Sequence, residues 1–142
     1  MDKTPKNLIF ETIPIGHSDE FSVNIDSKML ESFANISGDF NPLHMDPTYA
    51  EQTQFKKQVC HGMLLASFFS KLVGMHIPGK NALYFSQSLN FRAPCFVNDV
   101  VTVKGTVIEK RETTKIITIK TEIFNQDSVC IIDGIAKVIV RE

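Results

Sequence analysis

The sequence predicts an α+β domain in which a curved antiparallel sheet wraps round one long helix. Two observations carry this. Residues 61–75 are mostly apolar, with Met63, Leu64, Leu65, Ala66, Phe68, Phe69, Leu72 and Val73 among them. A helix apolar over so broad a surface must be covered on most sides. Beyond Pro78-Gly79 the chain changes to runs that alternate with period two, joined by short linkers, as antiparallel neighbours require. One buried helix followed by such strands is an α+β architecture. The length, 142 residues, suits one domain over 1–142 with a sizeable core.

Taken in order, residues 8–15 mix apolar and polar side chains and are expected to form a short edge strand, with a turn over 16–20. Phe21-Ser22-Val23-Asn24-Ile25 alternates as a half-buried strand does. Asp26 or Ser27 can cap a helix whose apolar positions Met29, Leu30, Phe33, Ala34 and Ile36 share one face, and Ser37-Gly38 ends it. Asp46-Pro47 opens a short helix to about Gln52, because Asp caps and Pro is tolerated at the first helical position. Lys56 and Lys57 then read as a solvated loop, with phosphate binding as the alternative. The long apolar helix starts at His61 and stops at Gly74 and Pro78-Gly79. Strands are expected over residues 82–91, 100–109, 115–124 and 129–140, the last with a bulge or bend at Asp133-Gly134.

Composition narrows the function. Apolar residues are 43% of the chain and charged residues 22%, ordinary for a globular protein. A formal net charge of −1 leaves no electrostatic footprint for nucleic acid or an anionic membrane. No apolar run reaches the length of a membrane span, and MDKTPKNLIF lacks the apolar core of a signal peptide, so a cytoplasmic protein is expected. Cys60, Cys95 and Cys130 are an odd set with no metal-ligand or redox spacing, and reduced thiols are the simplest reading.

The chemistry concentrates in Ser37 to His44, SGDFNPLH. A carboxylate, Asp39, and an imidazole, His44, stand five residues apart on a stretch that Gly38 and Pro42 shape. A bent, stiffened loop can bring those two side chains together, which suits proton delivery and removal at one small site. The structural alternative is an Asx-turn or helix cap at Asp39 and a satisfied core histidine at His44.

Read more widely, Phe33-Ala34-Asn35-Ile36-Ser37-Gly38-Asp39-Phe40-Asn41-Pro42-Leu43-His44, followed by Ala50, resembles the signature of the R-specific enoyl-CoA hydratases, the hydratase 2 or MaoC-like proteins. Val59-Cys60-His61-Gly62-Met63-Leu64-Leu65-Ala66-Ser67 is similar to the start of that family's central helix. Gln87-Ser88-Leu89-Asn90-Phe91-Arg92-Ala93-Pro94 and Phe96-Val97-Asn98-Asp99 are similar to its first long strand and the following turn. The likeness runs in order from about Asp26 to the C-terminus. It implies the hotdog fold, at least a homodimer with the site near the subunit boundary, a CoA thioester substrate and 3R stereochemistry, with no metal or redox cofactor.

Hydration of a 2-enoyl thioester needs water activated towards C3, a proton for C2, and stabilisation of the enolate oxygen. Asp39 and His44 can hold one water between them and handle both proton transfers. The backbone N–H of Gly62, at the start of the central helix, can serve as the oxyanion hole. Asn41 and Pro42 shape the loop. The resemblance places Ser70 near the acid/base pair as a supporting residue. Val73, three residues further on and so on nearly the same helix face, is expected to set the depth of the acyl pocket.

Rival readings remain open on the residues. A related hotdog activity, dehydration of acyl-carrier-protein substrates or thioester hydrolysis, uses the same fold, and a non-catalytic acyl-CoA-binding module is a different class. Cys60 with His61 is a candidate acyl-transfer pair. His44, Asp46 and His61 are a candidate metal set without recognised ligand spacing.

Overall fold

The structure is a computed structural model describing residues 2–142. Its sheet is built from β1 (Ser18–Asn24), β2 (Ala82–Gln87), β3 (Asn90–Phe91), β4 (Val100–Arg111), β5 (Ile116–Phe124) and β6 (Cys130–Val140). The strand order is β1-β4-β5-β6-β2, with β3 also beside β6, and every pairing is antiparallel. Four helices accompany it: α1 (Ser27–Ser37), α2 (Pro42–Met45), α3 (Pro47–Glu51) and α4 (Gly62–Lys71), which runs on into a π-helical turn, Leu72–His76. This is the arrangement the hotdog resemblance implies, an open curved sheet about a central helix.

Period-two alternation puts Val101, Val103 and Val107 of β4, Ile117, Ile119 and Ile123 of β5, and Ile132, Ala136 and Val138 of β6 in the core. The helix meets them in two clusters. Leu64, Leu65, Phe69 and Leu72 pack with Val101, Val103, Ile123 and Ile132. Val73 and Ile77 pack with Phe10, Ile13, Val107 and Val138. Each fully buried Leu or Phe contributes roughly 1.5–3 kcal/mol, so this face of α4 fixes where its N-terminus stands. Between the clusters, Gly105, Thr121 and Gly134 are aligned across three strands. Leu72 lies over Gly105, where an added Cβ would stand 3.0 Å from its side chain.

Four expectations are corrected. Residues 8–15 form a 3₁₀ turn, Phe10–Thr12, rather than a strand. Phe10 and Ile13 are spaced three apart, and a 3₁₀ turn brings both onto one side, where they are buried. Ile36 is 86% exposed. It stands about 200° round the helix from the buried Ala34, on the opposite side of a narrow stripe. The strand expected over 82–91 breaks at Ser88-Leu89 into β2 and β3. Finally, β6 passes through Asp133 and Gly134 in unbroken register with β5, and its irregularity falls nearer Cys130. Gly134 is glycine because the Ser88 carbonyl crosses it: a Cβ there would stand 1.9 Å from that backbone oxygen. The bend sits in the neighbouring chain.

Gly134→Ala therefore drives a methyl group into backbone that cannot rotate away. The expected loss is about 3 kcal/mol or more, the upper end for overpacking, read from urea denaturation midpoints at unchanged m-value. Stability equal to wild type contradicts the close crossing.

Candidate active site

The loop between α1 and α2 is held almost entirely by its own side chains. Gly38 takes the left-handed conformation, φ 81°, and its N–H bonds to Ala34 O at 2.8 Å. Ser37 Oγ donates to Phe33 O at 2.7 Å and accepts from the Asp39 N–H at 3.1 Å. Asp39 Oδ1 accepts from the Asn41 N–H at 3.1 Å, an Asx-turn. Asn41 Oδ1 in turn accepts from the Leu43 N–H at 3.0 Å and caps α2, with Pro42 at the first helical position. The motif is thus a loop only as far as Asn41. Asn-Pro supplies both a cap and a pre-set φ, so His44 is carried on one turn of helix.

His44 Nδ1 lies 2.6 Å from the Val59 carbonyl oxygen. A carbonyl only accepts, so Nδ1 carries the proton and donates it. In the neutral form of the ring this leaves Nε2 with its lone pair free, as a base requires. The same neighbouring segment holds the backbone of His44, since Gln58 Nε2 donates to its carbonyl at 2.6 Å.

His61 packs behind this ring. Its imidazole stacks on His44 with centroids 4.2 Å apart and planes at 28°. Its Nε2–H donates to the Asp39 backbone carbonyl at 3.1 Å, leaving Nδ1 buried without a hydrogen-bond partner. Burial lowers the His61 pKa below the usual imidazole range; the bond to the Asp39 backbone and the Asp39 charge oppose this, and His44 adds to it when that ring is protonated.

His44 and Gly62 line one apolar cavity of about 560 Å³, together with Phe55, Phe91, Cys95 and Ile132. Gly62 is the first residue of α4, and its N-cap, His61, makes no side-chain capping bond. Free N–H groups at the positive end of a helix therefore stand in the cavity wall. An added Cβ at Gly62 would lie 2.7 Å from the Phe91 ring, so the backbone approach to the cavity exists only for glycine as packed.

Of the remaining candidates Cys60 shares that cavity wall, whereas Asp39 is exposed and does not line it. Asn41 caps α2 and has no place in the cavity wall. Ser70 is exposed and lines a second cavity, of about 350 Å³, with Met63, Tyr84, Gln87 and Leu89. Ser67, not Ser70, bonds back to its own helix, at Leu64 O. Val73 is buried in the cluster with Val107 and Val138 and lines neither cavity. Cys60 is buried against Cys95, whose thiol, ahead of burial itself, raises its pKa and keeps it protonated, while the His61 ring turns to His44 and Asp39. Asp46 caps α3 through the Thr48 and Tyr49 N–H groups, at 3.0 and 3.2 Å. Lys57 lies over the Phe96 ring at 4.9 Å.

An open antiparallel sheet about one central helix defines a hotdog protein, and an uncapped helix start and a histidine bonded through Nδ1 share its apolar cavity. The chain belongs to the MaoC-like domain family, whose model matches residues 12–126. It is 41% identical over 128 residues to the (R)-specific enoyl-CoA hydratase of Aeromonas caviae, covering 90% of this chain and 96% of that protein. The structure of the A. caviae (R)-hydratase superposes with a TM-score of 0.90, covering 92% of this chain and 98% of that one. R-hydratase PhaJ1 of Pseudomonas aeruginosa, 33% identical, gives 0.94 over 97% of this chain and 88% of that one. A mitochondrial 3-hydroxyacyl-[acyl-carrier-protein] dehydratase of Arabidopsis thaliana is 38% identical over 117 residues, 80% of this chain and 69% of that protein.

A histidine kept neutral by burial binds fewer protons folded than unfolded. Its stabilisation is complete above the unfolded value, about 6.5, and is lost progressively as the pH falls below it. The urea midpoint is expected to decline between pH 7 and pH 5, above the range in which carboxylates titrate. In His61→Phe that decline should flatten. An identical slope in the variant would mean that His61 is not the group responsible.

Proposed function

We propose that the chain is an (R)-specific enoyl-CoA hydratase, adding water reversibly to a trans-2-enoyl-CoA to give a (3R)-3-hydroxyacyl-CoA. The observation that carries this is the shared cavity: His44, bonded through Nδ1 to Val59, and Gly62, at the start of a helix without a side-chain cap, line one apolar space. The close similarity to named (R)-hydratases supplies the substrate class and the hand of the product.

The thioester oxygen accepts from the Gly62 N–H, and the helix dipole favours the negative charge it gains in the transition state. A water is held between His44 Nε2 and the Asp39 carboxylate. As its oxygen bonds to C3, its proton passes to the dyad, and a proton is returned to C2. Water is thus added across the double bond and both groups end as they began. Asn41 holds the loop that presents the dyad, and Ser70 acts as a supporting residue for that pair. The acyl tail runs along α4, and Val73, in the buried cluster beyond both cavities, closes its path. Dehydration of a carrier-protein thioester is the same chemistry in reverse, and the Arabidopsis relative keeps it as the second reading.

The homodimer belongs to this proposal. β2 is an edge of the sheet, and Leu83 and Phe85 on it are exposed by 52% and 62%. An open, apolar edge strand of this kind is what pairing with a second copy covers. The free thiols of Cys60, Cys95 and Cys130 suit a reducing compartment, and we place the protein in the cytoplasm. Among the described residues no helix is long and apolar enough to cross a membrane.

Loss of the conjugated-enoyl absorbance of crotonyl-CoA tests the activity. Asp39→Asn and His44→Asn should each lower kcat by roughly 10²–10⁴, and the double variant should be far from multiplicatively worse, since both act on one water. Ser70→Ala should cost less than either, and Cys60→Ser almost nothing. Near-normal hydration by Asp39→Asn contradicts the proposed roles. Sedimentation equilibrium should give a dimer or larger; a stable monomer at micromolar concentration contradicts the edge pairing. Val73→Ala should shift preference towards longer enoyl chains, and unchanged relative rates across chain lengths would take Val73 out of the tail path.

A further inference from the structure

Among the described residues no hydrogen bond joins Asp39 to His44. The side chain that reaches both is His61, through its Nε2–H to the Asp39 carbonyl at 3.1 Å and its stack on the His44 ring at 4.2 Å. It is 2% exposed and does not line the cavity that its neighbours Cys60 and Gly62 enter. Its two nitrogens are unavailable to substrate: one is committed to Asp39, and the other is buried without a partner. Phe33 closes over the ring, with centroids 4.9 Å apart.

From this geometry we infer that His61 is a positioning residue, the shared brace that sets the separation and orientation of Asp39 and His44. The inference rests on the hydratase reading above. One ring holds the two residues by two different contacts, a hydrogen bond to the backbone of Asp39 and a stack on the ring of His44. Being buried and inside a packed shell, it cannot drift without moving both. A misplacement of about 1 Å in such a pair is enough to cost on the order of 10²-fold in rate. The brace never exchanges a proton with the substrate.

Two variants separate its arms. His61→Phe keeps a ring to stack on His44 and removes the donor to Asp39. His61→Gln keeps an amide donor and removes the stack. On crotonyl-CoA each should lower kcat by about 10–10²-fold with KM within about twofold, and His61→Phe should add little to the loss in Asp39→Asn. Amide and ring spectra report the arms without turnover. In His61→Phe the Asn41 N–H, bonded to Asp39 Oδ1, should exchange faster while the His44 ring signals hold. In His61→Gln the His44 ring signals should move while the Asn41 N–H holds. Either folded variant with kcat within about twofold of wild type, or with its whole loss in KM, overturns the inference. If wild type itself leaves crotonyl-CoA untouched, the hydratase reading fails, and the spectra alone decide: the same response at both reporters in both variants overturns the brace.

Discussion

The hydrogen bond from His44 Nδ1–H to the Val59 carbonyl decides what this site can do. At 2.6 Å it places a proton on Nδ1 and leaves Nε2 without a protein hydrogen bond, on a residue that lines the cavity. The opposite tautomer would point an N–H at the substrate and have nothing to give Val59. The acceptor is itself fixed from two sides. Val59 N–H bonds to Leu43 O at 3.2 Å, on the helix turn that carries His44, and Cys60 N–H bonds to Cys95 O at 2.7 Å. The residues just before the central helix therefore join the histidine to the rest of the fold.

Packing sets the other half of the site. The start of α4 stands where it does because Leu64, Leu65 and Phe69 are buried against β4, β5 and β6. Helix and sheet thus hold the Gly62 N–H as rigidly as they hold any core atom. The site carries costs in return. A helix start without a side-chain cap and a buried, unpartnered His61 Nδ1 are each features that core selection alone would remove. A buried unsatisfied group costs about 1–3 kcal/mol, which the apolar clusters on either side of Gly105 and Gly134 offset. Departures from local rules of this kind gather at functional sites.

The sheet and the central helix were legible because their periods are long and unmixed. Alternating Val and Ile over the last three strands, and a helix apolar on all sides but that of Ser67, Ser70 and Lys71, admit little else. The N-terminal turn was not legible, since Phe10 and Ile13 read equally as strand or 3₁₀ spacing over so short a stretch. Nor was the role of Gly134, which depends on where Ser88 crosses in space. At the site, Asp39, His44 and Gly62 stood out through their motifs, whereas His61 did not. Its signal was a histidine set in an apolar surround beside a helix-starting glycine. Sequence alone cannot show that its ring lies between two residues some twenty positions upstream. Ser70 and Val73 were reached by helical spacing, which fixes a face of α4 but not which cavity that face meets.

In the proposed reaction one imidazole and one free helix N–H act on the two ends of a conjugated thioester, with the thioester bond left whole. The most direct measurement is chiral analysis of the CoA product formed from crotonyl-CoA. The proposed reaction gives (3R)-3-hydroxybutyryl-CoA with no release of free CoA. A 3S or racemic alcohol, or free CoA and crotonate, would contradict it.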